Sequence, residues 1–142
     1  MIKIIRFYFN NELLHRQAYA VRTKVFVEEQ HVDPELEYDE FEETAHHYIA
    51  FYDDLVVGTA RWRETGKGIK LERFAVLPEF RNRGIGEVIL KEVLKDVIPL
   101  EKMIYLHSQV KAVPFYERNG FEKTGEQFTE AGIGHFLMKL TD

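Results

Sequence analysis

The sequence predicts one domain of the α/β (α+β) class, a mixed and mostly antiparallel sheet of about seven strands with helices on both faces. Three observations predict it. Short strand-like runs separated by tight turns crowd the first half, as in hairpins. Strand–helix–strand units follow in the second half. The length of 142 residues suits one domain, taken as residues 1–142, and 45% hydrophobic residues supply a core.

Ile2 to Phe9 reads as the first strand. Asn10 or Asn11 is a suitable N-cap for the helix that follows. Leu14, Ala18, Val21 and Val25 fall on one stripe of that helix, which ends near Val27. Glu28 to Glu43 is acidic, contains Pro34, and reads as a loop with a helical turn. His47 to Tyr52 and Leu55 to Arg63 form a hairpin across Asp53-Asp54. The turn at Thr65-Gly66-Lys67-Gly68 leads into a fourth strand, Ile69 to Leu77. Ile85, Val88, Ile89, Val93 and Val97 mark a helix face, closed by Pro99. Met103 to His107 is a fifth strand. A short helix with Pro114 in its first turns stops at Asn119-Gly120. Phe121 to Phe128 and His135 to Leu140 complete the strands.

Arg81-Asn82-Arg83-Gly84-Ile85-Gly86 lies between the fourth strand and its helix. Loop amides and a helix N-terminus at such a junction can cradle an anion, and glycine lets the backbone come close to a phosphate oxygen. The pattern is neither a Walker loop nor a dinucleotide fingerprint. From spacing alone, phosphate binding and an ordinary basic turn are equally good readings.

Composition removes several function classes. A net charge of −5 argues against a nucleic-acid partner. No apolar run is long enough to span a bilayer, and the first residues alternate like a strand rather than a signal peptide. A cytoplasmic protein with no membrane partner is expected. The absence of cysteine excludes disulfides, thiolate metal sites and an acyl-cysteine enzyme. His46 and His47 are adjacent on a strand and face opposite sides, so with His31 they assemble no metal site.

The chain resembles the GNAT N-acetyltransferase superfamily over nearly its whole length. Arg81 to Gly86 fits the family's R/Q-x-x-G-x-G/A loop, and Phe115-Tyr116-Glu117-Arg118-Asn119-Gly120-Phe121 fits its later F-Y-x-x-x-G-F motif. Arg22 to Gln30 and Glu130 to His135 are similar to a small bacterial branch of uncharacterised acetyltransferases. Some of that branch carry the label glucosamine-6-phosphate N-acetyltransferase. Gly134 stands where similar proteins often have proline.

The resemblance implies acetyl-CoA as donor, with CoA as product and no metal. It implies a bulged fourth strand splayed from the fifth, with the pantetheine arm against the backbone of Phe74, Ala75 and Val76. The pyrophosphate would sit on the amides of Arg81, Asn82, Arg83, Gly84, Ile85 and Gly86, with the Arg81 and Arg83 side chains as secondary aids. Tyr116 becomes the acid for the departing thiolate, against the alternative of a core tyrosine. The bulge amide at Ala75 or Val76 becomes the oxyanion donor.

The base has two candidates. Glu72 lies in the right region but could equally be an ion-pair partner of Arg61 or Arg73. His107, where the family often has asparagine, could shuttle a proton, contact the cofactor or pack. Glu130 and His135 are candidates for the acceptor site. The acidic loop could attract a cationic amine, or Arg22, Arg61 and Arg63 could bind a carboxylate or phosphate. The function expected is acetyl transfer to a primary amine of a small molecule (amino sugar phosphate, amino acid or polyamine) by direct attack in a ternary complex. Peptide acetylation and a silent CoA-binding module are the alternatives. The resemblance allows a homodimer, which no apolar patch in the sequence requires.

Overall fold

A computed structural model describes residues 1–141. Seven strands form one sheet: β1 (Ile2–Phe7), β2 (His46–Tyr52), β3 (Leu55–Thr65), β4 (Gly68–Val76), β5 (Ile104–Gln109), β6 (Phe121–Glu130) and β7 (Ile133–Leu140). Their order is β1-β2-β3-β4-β5-β7-β6. All neighbours are antiparallel except β4 and β5, which run parallel. The expected mixed sheet is present, with strand ends displaced by a residue or two, as frayed ends usually are.

One face of the sheet is apolar. Tyr48, Trp62, Leu71, Leu106 and Met138 present it, and helix α3 (Ile85–Val97) packs there through Ile85, Ile89, Leu90, Val93 and Val97. Burying each such aliphatic side chain contributes roughly 1.5–3 kcal/mol, which is what holds α3 in place. Helix α4 (Val113–Arg118) adds Val113 and Tyr116 to the same cluster. Val88, placed by its spacing on the buried stripe, is instead 37% exposed, and Leu90 takes its place.

The other face meets helix α1 (Glu12–Arg22), capped by the Asn11 side chain, which accepts from the Leu14 amide at 3.2 Å. Ala18, Val21 and Val25 face inward as their spacing predicts. The helix does not end near Val27. It widens into a π-helix, Thr23–Glu29, a form with no hydrophobic period of its own to read from sequence. The short helix α2 (Pro34–Glu37) follows, capped by the Asp33 side chain accepting from the Glu35 amide.

This covered face is charged at its centre. Arg22 is 2% exposed and Arg61 1%, so neither is the surface arginine that its type suggests. Arg22 pairs with Glu37 at 2.6 Å and with Glu42, while Arg61 pairs with Glu42 at 2.8 Å, with Asp39 and with Glu72. Three acids of the loop, Glu37, Asp39 and Glu42, are therefore paired with buried arginines rather than left free to attract a substrate. Burial alone pushes Asp39, Glu42 and Glu72 up, but the surrounding arginines outweigh it and hold all three below the usual carboxylate range.

Removing Arg61 leaves buried carboxylates uncompensated, so Arg61→Leu is expected to cost about 3–5 kcal/mol by chemical denaturation at neutral pH. Because the three folded-state values are depressed, their contribution is fully present above their unfolded values of about 4 and is lost as pH falls through the folded ones. The parent protein should lose stability on acidification below about pH 4. A flat stability profile there would show that the network contributes nothing.

Candidate functional site

The pairing of β4 with β5 is short. Ile69, Lys70 and Leu71 meet Ile104, Tyr105 and Leu106, and the strands then part. A bulge in β4 is the cause. Thr59 pairs with Ala75 but Arg61 pairs with Glu72, so β4 carries one extra residue against β3. Arg73 takes up the slack in a left-handed conformation with φ 58°, which costs a non-glycine residue about 1–2 kcal/mol. The expected bulge and splay are thus present. Arg73 is held by Glu37 at 3.0 Å and Asp39 at 3.1 Å, with the Leu36 and Glu37 carbonyls at 3.3 Å. The segment around α2 compensates the strain that opens the sheet.

A cavity of about 960 Å³ occupies the gap. It brings together Glu72, Phe74, Ala75, Val76, Arg81, Asn82, Gly84, Ile85, Gly86, His107, Tyr116, Glu130 and His135. Of the residues singled out from sequence, Arg83 is not part of the lining. Its guanidinium lies 5.5 Å from the Tyr52 ring and 5.3 Å from the Phe80 ring.

At one end is the glycine loop. Asn82 and Gly84 are both left-handed, with φ 64° and 79°, and α3 starts at Ile85 with no side-chain cap. The first bond closing that helix runs from the Val88 amide to the Gly84 carbonyl at 3.1 Å. Among the described residues, the amides from Asn82 to Glu87 donate to no protein acceptor. A Cβ built on Gly84 meets nothing within 4 Å, and one on Gly86 only touches the Phe115 ring at 3.6 Å. Free amides, a helix dipole and open space fit a phosphate group. Arg81 serves differently from a free cation. Its Nε donates to the Val76 carbonyl at 2.9 Å and its terminal nitrogens clasp Glu29 at 2.7 Å. It ties the loop to β4 and to the end of the π-helix.

Tyr116 of α4 is 8% exposed, set edge-on to Phe74, Phe115 and Phe121. Burial pushes its hydroxyl above the ordinary phenol range, so it stays protonated at neutral pH. Among the described residues it makes no side-chain hydrogen bond.

His107 follows Leu106, the last residue of β5 that pairs with β4. Its Nδ1 lies 2.9 Å from Glu130 Oε1, and that hydrogen bond leads the interactions holding the Glu130 carboxyl down at about 2. An ionised carboxylate only accepts, so Nδ1 carries a proton, and in the neutral imidazole the lone pair is then on Nε2. His135 Nε2 is 3.8 Å from the other Glu130 oxygen, and its Nδ1 donates to the Ile133 carbonyl at 2.7 Å. His107, Glu130 and His135 thus form one cluster around Phe128. Glu72 is differently placed: Arg61, Arg63 and Lys70 surround it at 2.9, 2.8 and 3.4 Å.

Two features escaped the sequence. Gln30 and Gln109 bridge the cavity from the π-helix to β5 at 2.7 Å. Lys70 lines the cavity from β4, and its alternation with Glu72 was the signal that could have found it. Among the described residues, no group of three or more His, Asp or Glu side chains is placed to hold a metal ion, and no helix is long and apolar enough to cross a membrane.

Comparison with known proteins agrees with this geometry. The family model described as Acetyltransferase (GNAT) domain matches residues 12–142. The uncharacterized N-acetyltransferase YjcF of Bacillus subtilis (strain 168) is 38% identical over 130 residues, covering 90% of this chain and 93% of its own. The crystal structure of Escherichia coli ElaA superposes with a TM-score of 0.89 at 23% identity, covering 99% of this chain and 100% of that one. A GNAT family acetyltransferase from Elizabethkingia anophelis, solved with acetyl-CoA bound, shares the fold with a TM-score of 0.74 at 18% identity, over 98% of this chain and 97% of its own.

The two loop glycines should separate by conformation. Gly84→Ala forces a side chain into φ 79° and is expected to cost about 1–2 kcal/mol. Gly86→Ala, with ordinary contacts inside a helix, should be neutral or stabilising by up to about 1 kcal/mol. Denaturation midpoints of the two variants check this, and equal effects would remove the conformational argument.

Proposed function

The chain belongs to the GNAT acetyltransferase family, and from that premise we propose that it moves an acetyl group from acetyl-CoA to the primary amine of a small molecule. Transfer is direct, within a ternary complex, and residues 1–142 work as one cytoplasmic N-acetyltransferase domain. The observation that carries this reading is the meeting of three groups in one cavity: the free-amide loop, a buried protonated tyrosine, and a histidine with its Nε2 free.

Acetyl-CoA supplies the acetyl group as a thioester. The loop amides of Asn82 to Glu87 bind its phosphates, and the unpaired edge of β4 at Phe74 to Val76 accommodates the pantetheine arm. Arg81 acts by holding that loop in shape, and Arg83 acts from outside the cavity.

An alkylammonium titrates near about 10.4, so at neutral pH fewer than about one amine in a thousand is a nucleophile. His107 Nε2 takes the proton. Glu130 fixes the tautomer and stabilises the imidazolium that results, as carboxylates do for catalytic histidines. The Ala75 or Val76 amide donates to the carbonyl oxygen as charge builds there. Tyr116 donates its hydroxyl proton to the departing sulfur. Glu72, ionised and surrounded by cations, is a weak base by comparison and serves the sheet instead. His135 Nε2 stands 3.8 Å from the other Glu130 oxygen, beyond hydrogen-bond range, and shares the acceptor side of the cavity with it.

The cavity's volume suits a small acceptor, and Phe26, Val32 and Leu36, from the π-helix and the segment around α2, add apolar lining to it.

Calorimetry should show saturable binding of acetyl-CoA to one site, with acetate and ATP far weaker. Thiol release across an amine panel should then fall by roughly 100-fold or more in Tyr116→Phe and in His107→Gln, with acetyl-CoA affinity little changed. Glu130→Gln should fall less, because it acts through His107. Absence of acetyl-CoA binding by folded protein sinks the reading. Binding without turnover on any amine points to a silent CoA-binding module.

A further inference from the structure

Lys70 and Arg63 are left unused by the chemistry above. They face each other across β3 and β4, and both line the cavity. The Lys70 side chain is 15% exposed and that of Arg63 18%. Lys70 Nζ has one carboxylate neighbour, Glu72 Oε2 at 3.4 Å, beyond the usual range of about 2.7–3.2 Å for a hydrogen bond. Arg63 donates from Nε to Glu72 Oε1 at 2.8 Å, with its guanidinium stacked 3.7 Å from the Phe41 ring. That same oxygen already accepts from Arg61 Nε at 3.0 Å. Glu130, the other carboxylate within reach of the Lys70 charge, is bound to His107. Among the described residues, Lys70 Nζ and the terminal nitrogens of Arg63 therefore donate no hydrogen bond. Their side chains are largely covered while these nitrogens stay open to the cavity, so a ligand's oxygens can replace water on donors that the protein leaves unused.

We propose that Lys70 and Arg63 form an oxyanion subsite, and that the acceptor is an amine that also carries a carboxylate or a phosphate. This rests on the acetyltransferase reading and narrows its substrate class, against a polyamine. Spacing supports it. Lys70 pairs with Tyr105, and His107 lies two residues further along β5 on the same face, a step of about 6.6 Å. Lys70 and His107 therefore face the same cavity from neighbouring strands, so an anion at the one and an amine at the other can belong to one ligand. The stacking of Arg63 on Phe41 holds its fork rigid, which suits a planar or tetrahedral oxyanion.

The test compares matched amines by thiol release: an α-amino acid with its decarboxylated amine, an amino sugar phosphate with the free amino sugar, and spermidine alone. An oxyanion-bearing member should exceed its matched partner in kcat/KM by roughly 10- to 100-fold. Whether that member carries carboxylate or phosphate identifies the oxyanion. Lys70→Met should raise its KM by a similar factor with kcat little changed, leave the uncharged partner unaffected, and be largely rescued by Lys70→Arg. Spermidine or the uncharged partners as the better substrates would overturn the proposal, as would an unchanged KM in Lys70→Met. If no amine turns over, calorimetry of CoA-saturated protein with the same anionic amines decides. Binding that Lys70→Met abolishes supports the subsite, and no binding to the parent protein overturns it. Acetyl-CoA affinity on the same samples reports the proposed function separately and shows that the variants are folded.

Discussion

The bulge at Arg73 is the constraint on which the site depends. A continuous sheet has no room between neighbouring strands, and β4 and β5 begin as an ordinary parallel pair. One left-handed residue ends that pairing, and such strain persists only where its surroundings over-determine it. Here Glu37 and Asp39 grip the Arg73 guanidinium, while Arg22 and Arg61 grip the same two acids from the helix and from β3. Buried ion pairs are weak evidence for stability, since desolvation offsets most of their attraction. Their directional hydrogen bonds define one arrangement of the α2 segment against the sheet, and that arrangement sets where the cavity opens.

The opposite end of the cavity is fastened to the same stretch of chain. Arg81 joins the glycine loop to Glu29, the last residue of the π-helix, and to the Val76 carbonyl. Gln30, the next residue, reaches Gln109 on β5. Residues 29–39 therefore contact the loop, the bulge and both sides of the splay. The π-helix leads directly into this stretch. Its wider winding places Gln30 so that its amide donates to Val25 five residues back, a register that a continued α-helix would not provide.

How much of this was legible in the sequence follows from the range of the interactions. The strands, α1, α3 and the two motifs were legible because each rests on local spacing. The apolar periods of Ala18, Val21 and Val25 or of Ile89, Val93 and Val97 survive folding unchanged. The glycine loop and the F-Y-x-x-x-G-F segment are contiguous. Most of the buried network was not legible, although the Arg61–Glu72 pair, across neighbouring strands, was one of the readings open for Glu72. Its pairs are separated by 15 residues for Arg22–Glu37, 22 for Arg61–Asp39 and 34 for Arg73–Asp39, and no spacing rule connects them. Arginine type alone argues for the surface, so nothing local announces the burial of Arg22 and Arg61. Lys70 escaped for a different reason. A lysine on a strand draws attention only when its donors are seen to lack acceptors, and that requires three dimensions.

The division of the sheet into an apolar and a charged face explains why the proposed chemistry needs the splay. Tyr116 belongs to the apolar cluster with α3, where burial keeps its hydroxyl protonated. His107 follows Leu106, a member of that cluster, and alternation puts its side chain on the charged face beside Glu130. Across an intact sheet, an acid from one face and a base from the other could not reach the same atoms. Where β4 and β5 separate, both line one space. The two environments can then remain different: one dry enough to hold a proton on a phenol, the other polar enough to stabilise an imidazolium. Separation of the proposed acid and base by environment follows from separation by sheet face, and the strained residue at position 73 is what lets Tyr116 and His107 line one space.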